Sequence, residues 1–247
     1  MTPWHEDDGF WETFYPAMFS DARWDLAEGE VQSALTLLGV AGPVDILDFC
    51  CGPGRHTVAM GKLGHRVLGV DRIASYLNIG RQKAVAAGVD VVFEQGDVRA
   101  FRRAEAFDCA LSLYTSFGYF EAPADDVKVL ENAYASLRSG GRLLMDLSGK
   151  EVVARSFTQR TWSEPEPGMV WLEDRKVLPE WAGIENKWTL IRGEERSEYV
   201  LSIRLYSAAE LKAALLGVGF SHVDLFGSLK RDPYDQTARR LVAVGVK

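Results

Sequence analysis

The chain has 247 residues, 47% of them hydrophobic, and a formal net charge of -7. That length and apolar content suit one large α/β domain with an insertion and exclude a disordered chain. The acidic balance disfavours polyanions such as nucleic acid, and no apolar run is long enough to span a bilayer. In chain order, the first forty residues read as helical and aromatic, with Trp4, Phe10, Trp11, Phe14, Tyr15, Phe19 and Trp24 crowded together. Val31, Leu35 and Leu38 then recur at helical spacing before Gly39. Val44 to Asp48 is a short apolar strand, and a glycine turn (Gly52, Gly54) leads into a helix from Arg55 to about Gly64. Strands are predicted at 66–71, 89–94, 107–113 and 142–147. Helices between them are predicted at 75–87 and 124–137. Alternation of this kind implies a parallel sheet with right-handed crossovers.

The pattern changes after residue 150. Three strand-like runs follow without a helix: 169–178, 184–191 and 198–206. In the last, Tyr199, Leu201, Ile203 and Leu205 share one face, because side chains alternate along a strand. This reads as an antiparallel insertion. Ser207-Ala-Ala-Glu210 is a capping box opening a last helix. Strands around Val223 and at 241–246 close the chain. The division expected is an N-terminal helical lid (1–40), a cofactor-binding core (41–150), the insertion (151–206) and a C-terminal part of the core sheet (207–247). The fold class is therefore α/β, a Rossmann-like, doubly wound, mostly parallel seven-stranded sheet.

The strand–glycine turn–helix unit VDILDFCCGPGRHT (44–57) carries the chemistry. Glycines there let the backbone turn sharply and approach a ligand at the carboxyl edge of the sheet. Asp48 lies just before the turn, where a negative charge repels phosphate and attracts an ammonium group. Cys50-x-Gly52-x-Gly54 also lacks the third glycine of a dinucleotide site. Asp71 ends the second strand, where a carboxylate can accept from ribose hydroxyls, and Asp97 follows the third, within reach of an adenine amino group. The ligand suggested is an adenosine with a cationic amino-acid tail. Cys50, Cys51 and Cys109 form an odd, low count that suits reduced thiols in a cytoplasm. No second Cys/His cluster completes a metal site, so no metal is expected. The start, MTPWHEDDGFWETF, lacks the positive and apolar regions of a secretion signal, and the expected location is cytoplasmic.

These residues resemble the class I S-adenosylmethionine-dependent methyltransferases. The carrying motifs are LDFCCGPGRHT (47–57), VLGVDR (67–72), QGDVRAF (95–101), FDCALSLYTSFGYF (107–120) and LRSGGRLLMDL (137–147). The resemblance covers most of the chain, and TSFGYF after the fourth strand is similar to one bacterial branch. The resemblance implies that Asp48 and the backbone at Cys50, Gly52 and Gly54 hold the methionine end of the donor. Asp71 would bind the ribose, with Arg72 alongside the adenosine, and Asp97 and Val98 would hold the adenine. Leu113 and Tyr114 would lie by the methionine moiety, and Tyr15 would reach the cofactor from the lid. Cys50 departs from the family pattern, which has glycine there, so this position is expected not to need a positive φ.

The acceptor expected is a small molecule, methylated on nitrogen in preference to oxygen. No Asn/Asp-Pro-Pro-Tyr-like segment follows the fourth strand, which argues against amino-methylation of nucleic-acid bases. Tyr119 and His56 are the candidate catalytic residues. Trp11, Tyr119, Trp188, Arg204 and Tyr206 are the candidate acceptor contacts, under a roof formed by the insertion. A non-catalytic S-adenosylmethionine-binding protein is the alternative, and a nicotinamide-dependent oxidoreductase a weaker one. The protein is expected to act as a monomer or homodimer, without membrane or nucleic-acid partners.

Overall fold

The computed structural model describes residues 2–247. Two sheets form among these residues. The larger has seven strands in the order β10-β11-β5-β4-β1-β2-β3. Its parallel part comprises β1 (Asp45–Phe49), β2 (Arg66–Asp71), β3 (Val92–Gln95), β4 (Phe107–Ser112) and β5 (Leu137–Leu147). β11 (Leu241–Val246) runs antiparallel to both β5 and β10 (His222–Phe226). The expected doubly wound, mostly parallel α/β sheet is the observed one.

Each face of this sheet is buried under helices, which is why its strands read as unbroken apolar runs. On one face α5 (Pro123–Ser136) and α7 (Ala208–Gly217) bury Val129, Leu130, Ala133, Leu211 and Leu215 against Leu143, Met145 and Ala243. On the other, α2 (Asp21–Leu37) and α3 (Arg55–Lys62) bury Val31, Ala34, Leu35 and Met60 against Ile46, Leu111 and Val242. α4 (Ala74–Ala87) ends at Gly88, whose φ of +66° is the left-handed stop that glycine adopts without strain. The capping box at α7 is complete: Ser207 Oγ accepts from the Glu210 N–H at 3.2 Å, and Glu210 Oε2 accepts from the Ser207 N–H at 2.7 Å.

The smaller sheet is antiparallel, β6-β7-β8-β9. It contains β7 (Met169–Val177), β8 (Gly183–Arg192) and β9 (Glu195–Arg204), plus β6 (Arg160–Glu166), a fourth strand that the three-strand expectation missed. β6 is an edge strand of sequence RTWSEPE, with Trp162 70% exposed, so it carries no apolar alternation to read. A short helix, α6 (Lys150–Arg155), precedes it. The inner face of this sheet, through Met169, Leu190 and Leu201, packs on Phe10, Phe14 and Ala17 of α1 (Asp8–Met18). The alternation assigned the buried face correctly: Leu201 in β9 and Leu205 just past it are buried while Val200 is exposed. Several boundaries moved, among them the start of β9, at Glu195 rather than residue 198. β3 begins at Val92 rather than residue 89, and β5 begins at Leu137, where α5 was expected still to run. No helix among the described residues is long and apolar enough to cross a membrane.

Arg204 and Tyr206, expected to face the acceptor, are engaged elsewhere. Both bond to Asp126 Oδ2 on α5, Arg204 Nε at 3.0 Å and Tyr206 Oη at 2.8 Å. Asp126 is fully buried, and burial raises its carboxyl against the pull of those two bonds. A buried carboxylate needs such partners, so the pair pins the end of β9 to α5 rather than lining a cavity. Asp126→Ala, which strands both partners, is expected to lower the unfolding free energy by about 3 kcal/mol. Asp126→Asn should lose less, because an amide oxygen still accepts from Tyr206; urea denaturation measures both.

Candidate active site

The carboxyl ends of β1, β2 and β4 meet the N-terminal helices around a cavity of about 280 Å³. Asp48, Cys50, Gly52, Asp71, Arg72, Asp97, Val98, Leu113, Tyr114, Tyr119, His56 and Trp11 all line it. Residues as far apart in sequence as Trp11 and Tyr119 thus converge on one crevice at the strand ends of an open α/β sheet. Gly54 does not line the cavity but sets the turn. Its φ is +80°, and an added Cβ would lie 2.4 Å from the Phe93 ring. Tyr15 is also outside the lining, packed between Phe19 and Tyr76 at centroid distances of 5.5 Å; Met18 and Phe19 face the cavity in its place.

Cys50 corrects one expectation. Its φ is +54°, so the position normally held by glycine keeps the left-handed conformation despite its side chain. Tyr114 and Thr115, just past β4, are two further consecutive non-glycine residues at positive φ, +59° and +64°. Backbone strain of this kind is held only where its surroundings over-determine it. At Thr115 the N–H donates to the Asp146 carbonyl at 2.9 Å, and the Ser148 N–H donates to Thr115 Oγ1 at 2.9 Å.

Three carboxylates sit in the crevice in different electrostatic states. Asp48 is 2% exposed, and Thr57 Oγ1 donates to it at 2.6 Å. Burial pushes its carboxyl up to about 7, outweighing Thr57 and Arg55, with Asp71 adding repulsion. The group expected to guard the crevice with a full negative charge is therefore easily protonated when alone. Asp71 accepts from the Gly52 N–H at 2.8 Å and the Ile73 N–H at 3.0 Å. It too is raised by burial, partly offset by those backbone bonds. Asp97 differs: burial raises its carboxyl, but the Arg99 side chain and backbone N–H hold it below the usual range overall. Its side chain is committed to Arg99, with Nε at 3.0 Å from both oxygens.

Glu30, on α2, lies behind the crevice wall and was not singled out by sequence reasoning. It accepts from Arg55 Nη1 at 2.5 Å and from the Tyr114 hydroxyl, and lies 2.8 Å from His56 Nε2. Burial opposes its charge, yet His56, Tyr114 and Arg55 together lower its carboxyl to about 2. No periodic signal marks it; only folding brings α2 against the start of α3. Burial, the dominant influence, holds His56 below its ordinary range despite Glu30. Because the ionised carboxylate only accepts, the neutral imidazole carries its proton on Nε2. The Tyr114 ring stacks under Arg55, with the guanidinium carbon 4.2 Å from its centroid.

The N-terminal segment closes the crevice. Arg72 donates to the His5 carbonyl at 3.3 Å and the Glu6 carbonyl at 2.7 Å and pairs with Asp8; Arg99 Nη2 donates to Glu6 at 2.7 Å. Tyr119 lies under this cover, its centroid 4.8 Å from Trp4 and 6.2 Å from Trp11. Burial raises the Tyr119 phenol, which stays protonated at neutral pH and so keeps an O–H able to donate. Trp188 lies beyond this cavity, against Phe10, Phe14 and Trp171. The cysteines are free, burial raises Cys50 and Cys51 well above the usual thiol range, and no metal-binding cluster occurs among the described residues.

Comparison with known proteins agrees with this geometry. Residues 46–141 match the family model described as Methyltransferase domain. YqeM of Bacillus subtilis (strain 168) is 24% identical over 153 residues, 62% of this chain and 60% of YqeM. The 23S rRNA (uracil(1939)-C(5))-methyltransferase RlmD of Shewanella sp. (strain MR-4) is 32% identical over 89 residues, 36% of this chain and 20% of RlmD. The chain thus spans three fifths of the first relative and one fifth of the second. A solved S-adenosylmethionine-dependent methyltransferase from Clostridium acetobutylicum ATCC 824 superposes with a TM-score of 0.79 at 13% identity, covering 97% of this chain and 98% of that one. The sugar N-methyltransferase KedS8 from Streptoalloteichus sp ATCC 53650 superposes with a TM-score of 0.70 at 20% identity, covering 96% and 92%. Residues 46–141 thus match a methyltransferase domain, and the chain as a whole has the fold of the solved S-adenosylmethionine-dependent methyltransferase.

Proposed function

We propose that this protein transfers the methyl group of S-adenosylmethionine to a small-molecule acceptor, with nitrogen preferred over oxygen as the methylated atom. The single observation that carries this reading is the convergence of Asp48, Asp71 and the glycine turn on one enclosed crevice beside an aromatic chamber. When bound, the donor supplies a sulfonium-activated methyl whose C–S bond breaks as an acceptor lone pair forms the new bond. The residues present fit that donor. Asp48 can offer a buried negative charge to an ammonium group, and Asp71 is placed to accept from the ribose hydroxyls. Gly96 and the Val98 backbone, in the cavity wall, suit a flat adenine, with Arg72 along the adenosine side. Leu113 and Tyr114, just past β4 in the cavity wall, would lie by the methionine end.

What remains for the protein is to orient the acceptor and exclude water. Alignment of reacting groups contributes about 7–11 kcal/mol in the most favourable cases. Trp11 and Tyr119 would orient the acceptor, with aromatic faces that attract a cationic amine and the developing positive charge. His56, neutral and buried beside Glu30, is the candidate proton acceptor. The named sugar N-methyltransferase among the solved relatives supports a small-molecule acceptor and nitrogen. The RlmD match covers about a third of this chain and therefore speaks to the shared domain rather than to an RNA substrate.

Three measurements test this reading. Calorimetry should show micromolar binding of S-adenosylmethionine and S-adenosylhomocysteine and none of NAD; tight NAD binding would overturn the assignment. Asp71→Ala should weaken donor binding more than tenfold, and an unchanged affinity in the folded variant contradicts its ribose role. Asp48 gives a signed pH effect. Its raised carboxyl holds a proton up to about pH 7 in the free protein, which costs stability as pH rises from about 4 to 7. An ammonium group favours the ionised form, so binding of S-adenosylhomocysteine near pH 6 should expel that proton, and binding above pH 8 should not. Titration in buffers of different ionisation enthalpy reads the release, and Asp48→Asn should abolish it.

A further inference from the structure

A second cavity, of about 410 Å³, adjoins the first and shares Trp11, Met18, Tyr114 and Tyr119 with it. Its size is within the range of small-ligand pockets. The far wall is the inner face of β7 and β8, where Glu173, Asn186 and Trp188 line it. Asn186 is 8% exposed, and its Nδ2 donates to Glu173 Oε1 at 3.1 Å. Because a carboxylate only accepts, that bond fixes the amide orientation. Asn186 Oδ1 is then a buried acceptor without a partner, and Trp188 Nε1 is a buried donor without one. Each such group carries a desolvation cost that a ligand can remove.

The charge at this end is already balanced. Glu173 Oε2 accepts from Thr161 Oγ1 at 3.0 Å and pairs with the Arg175 guanidinium. An additional ion would find no free counter-charge, and burying an unpaired charge is costly. A hydroxyl matches both orphaned atoms, since it donates to one and accepts from the other. Phe10, Leu201 and Ile203 also line the cavity, and their apolar side chains suit the carbon face of a ring.

We propose that this cavity is the acceptor pocket, and that it selects a hydroxylated ring whose nucleophile faces Tyr114 and Tyr119 while its distal, uncharged hydroxyl meets Asn186 Oδ1 and Trp188 Nε1. This rests on the methyltransferase reading and adds the class of acceptor and the residues that read it. The matched probes are trans-4-aminocyclohexanol and cyclohexylamine, which share the amine and ring and differ in the distal hydroxyl. With S-adenosylhomocysteine bound to the full chain, the hydroxylated amine should bind at least tenfold more tightly by titration NMR. Asn186→Leu and Trp188→Phe should each cut that preference to below threefold. Trp188→Phe keeps the aromatic packing, so it remains informative if Asn186→Leu does not fold. Equal affinities in the wild type, no binding of either probe at millimolar concentration, or a preference that survives both folded variants overturns the proposal. Failure of S-adenosylhomocysteine itself to bind is a separate result, and it overturns the methyltransferase reading instead.

Discussion

The glycine turn at the end of β1 depends on one carboxylate. Asp71, at the end of β2, accepts from the Gly52 N–H and from the Ile73 N–H, and so ties the turn to the neighbouring strand. Backbone donors buried in a crevice need partners, and here one side chain serves two segments. The turn is confined from the other side as well. Gly54 lies against Phe93, and a Cβ at Gly69 would meet Cys51 Sγ and Thr57 Oγ1 at 2.9 Å. With the turn held this way, Asp48 and Thr57 remain in contact below it, and α3 starts where its backbone edges the cavity.

The cover over the crevice is coupled to the same residues. Arg72 and Arg99, beside Asp71 and Asp97, hold the carbonyls and carboxylates of the N-terminal segment. Tyr76 adds a bond to the Trp11 carbonyl. α2 is fixed by Glu30, which gathers Arg55, His56 and Tyr114 from two separate elements. Residues that line the crevice therefore also hold the N-terminal segment in place over it. Charged groups in such a partly dry setting interact more strongly than on an open surface.

The aromatic chamber draws its walls from two sheets. The core sheet supplies the crevice through its strand ends, and the four-stranded sheet supplies a wall through β7 and β8. α1 lies between them, buried on Phe10 and Phe14 toward the smaller sheet, while Trp11 turns to the chamber. Successive positions on a helix point in different directions, so one short segment seals a core and lines a cavity at once.

What the sequence determined by itself was local. Apolar runs marked the parallel strands, the paired glycines marked the turn, and carboxylates at 48, 71 and 97 fell at strand ends because strand ends are where the runs stop. Alternation in β9 assigned its buried face correctly. What only the tertiary structure decided was which polar groups found each other. Arg204 and Tyr206 looked available on their strand, yet both are bound to Asp126 some eighty residues away. Glu30 looked like any surface glutamate on a helix, yet folding puts it against His56 and Tyr114. Cys50 adopts the left-handed backbone of a glycine because the turn demands it, whatever its side chain prefers. Asp48 sits where the pattern placed it, but burial, which no pattern reports, moved its carboxyl to about 7. Periodicity is a property of neighbouring residues, whereas desolvation and ion pairing are properties of the space in which distant residues meet.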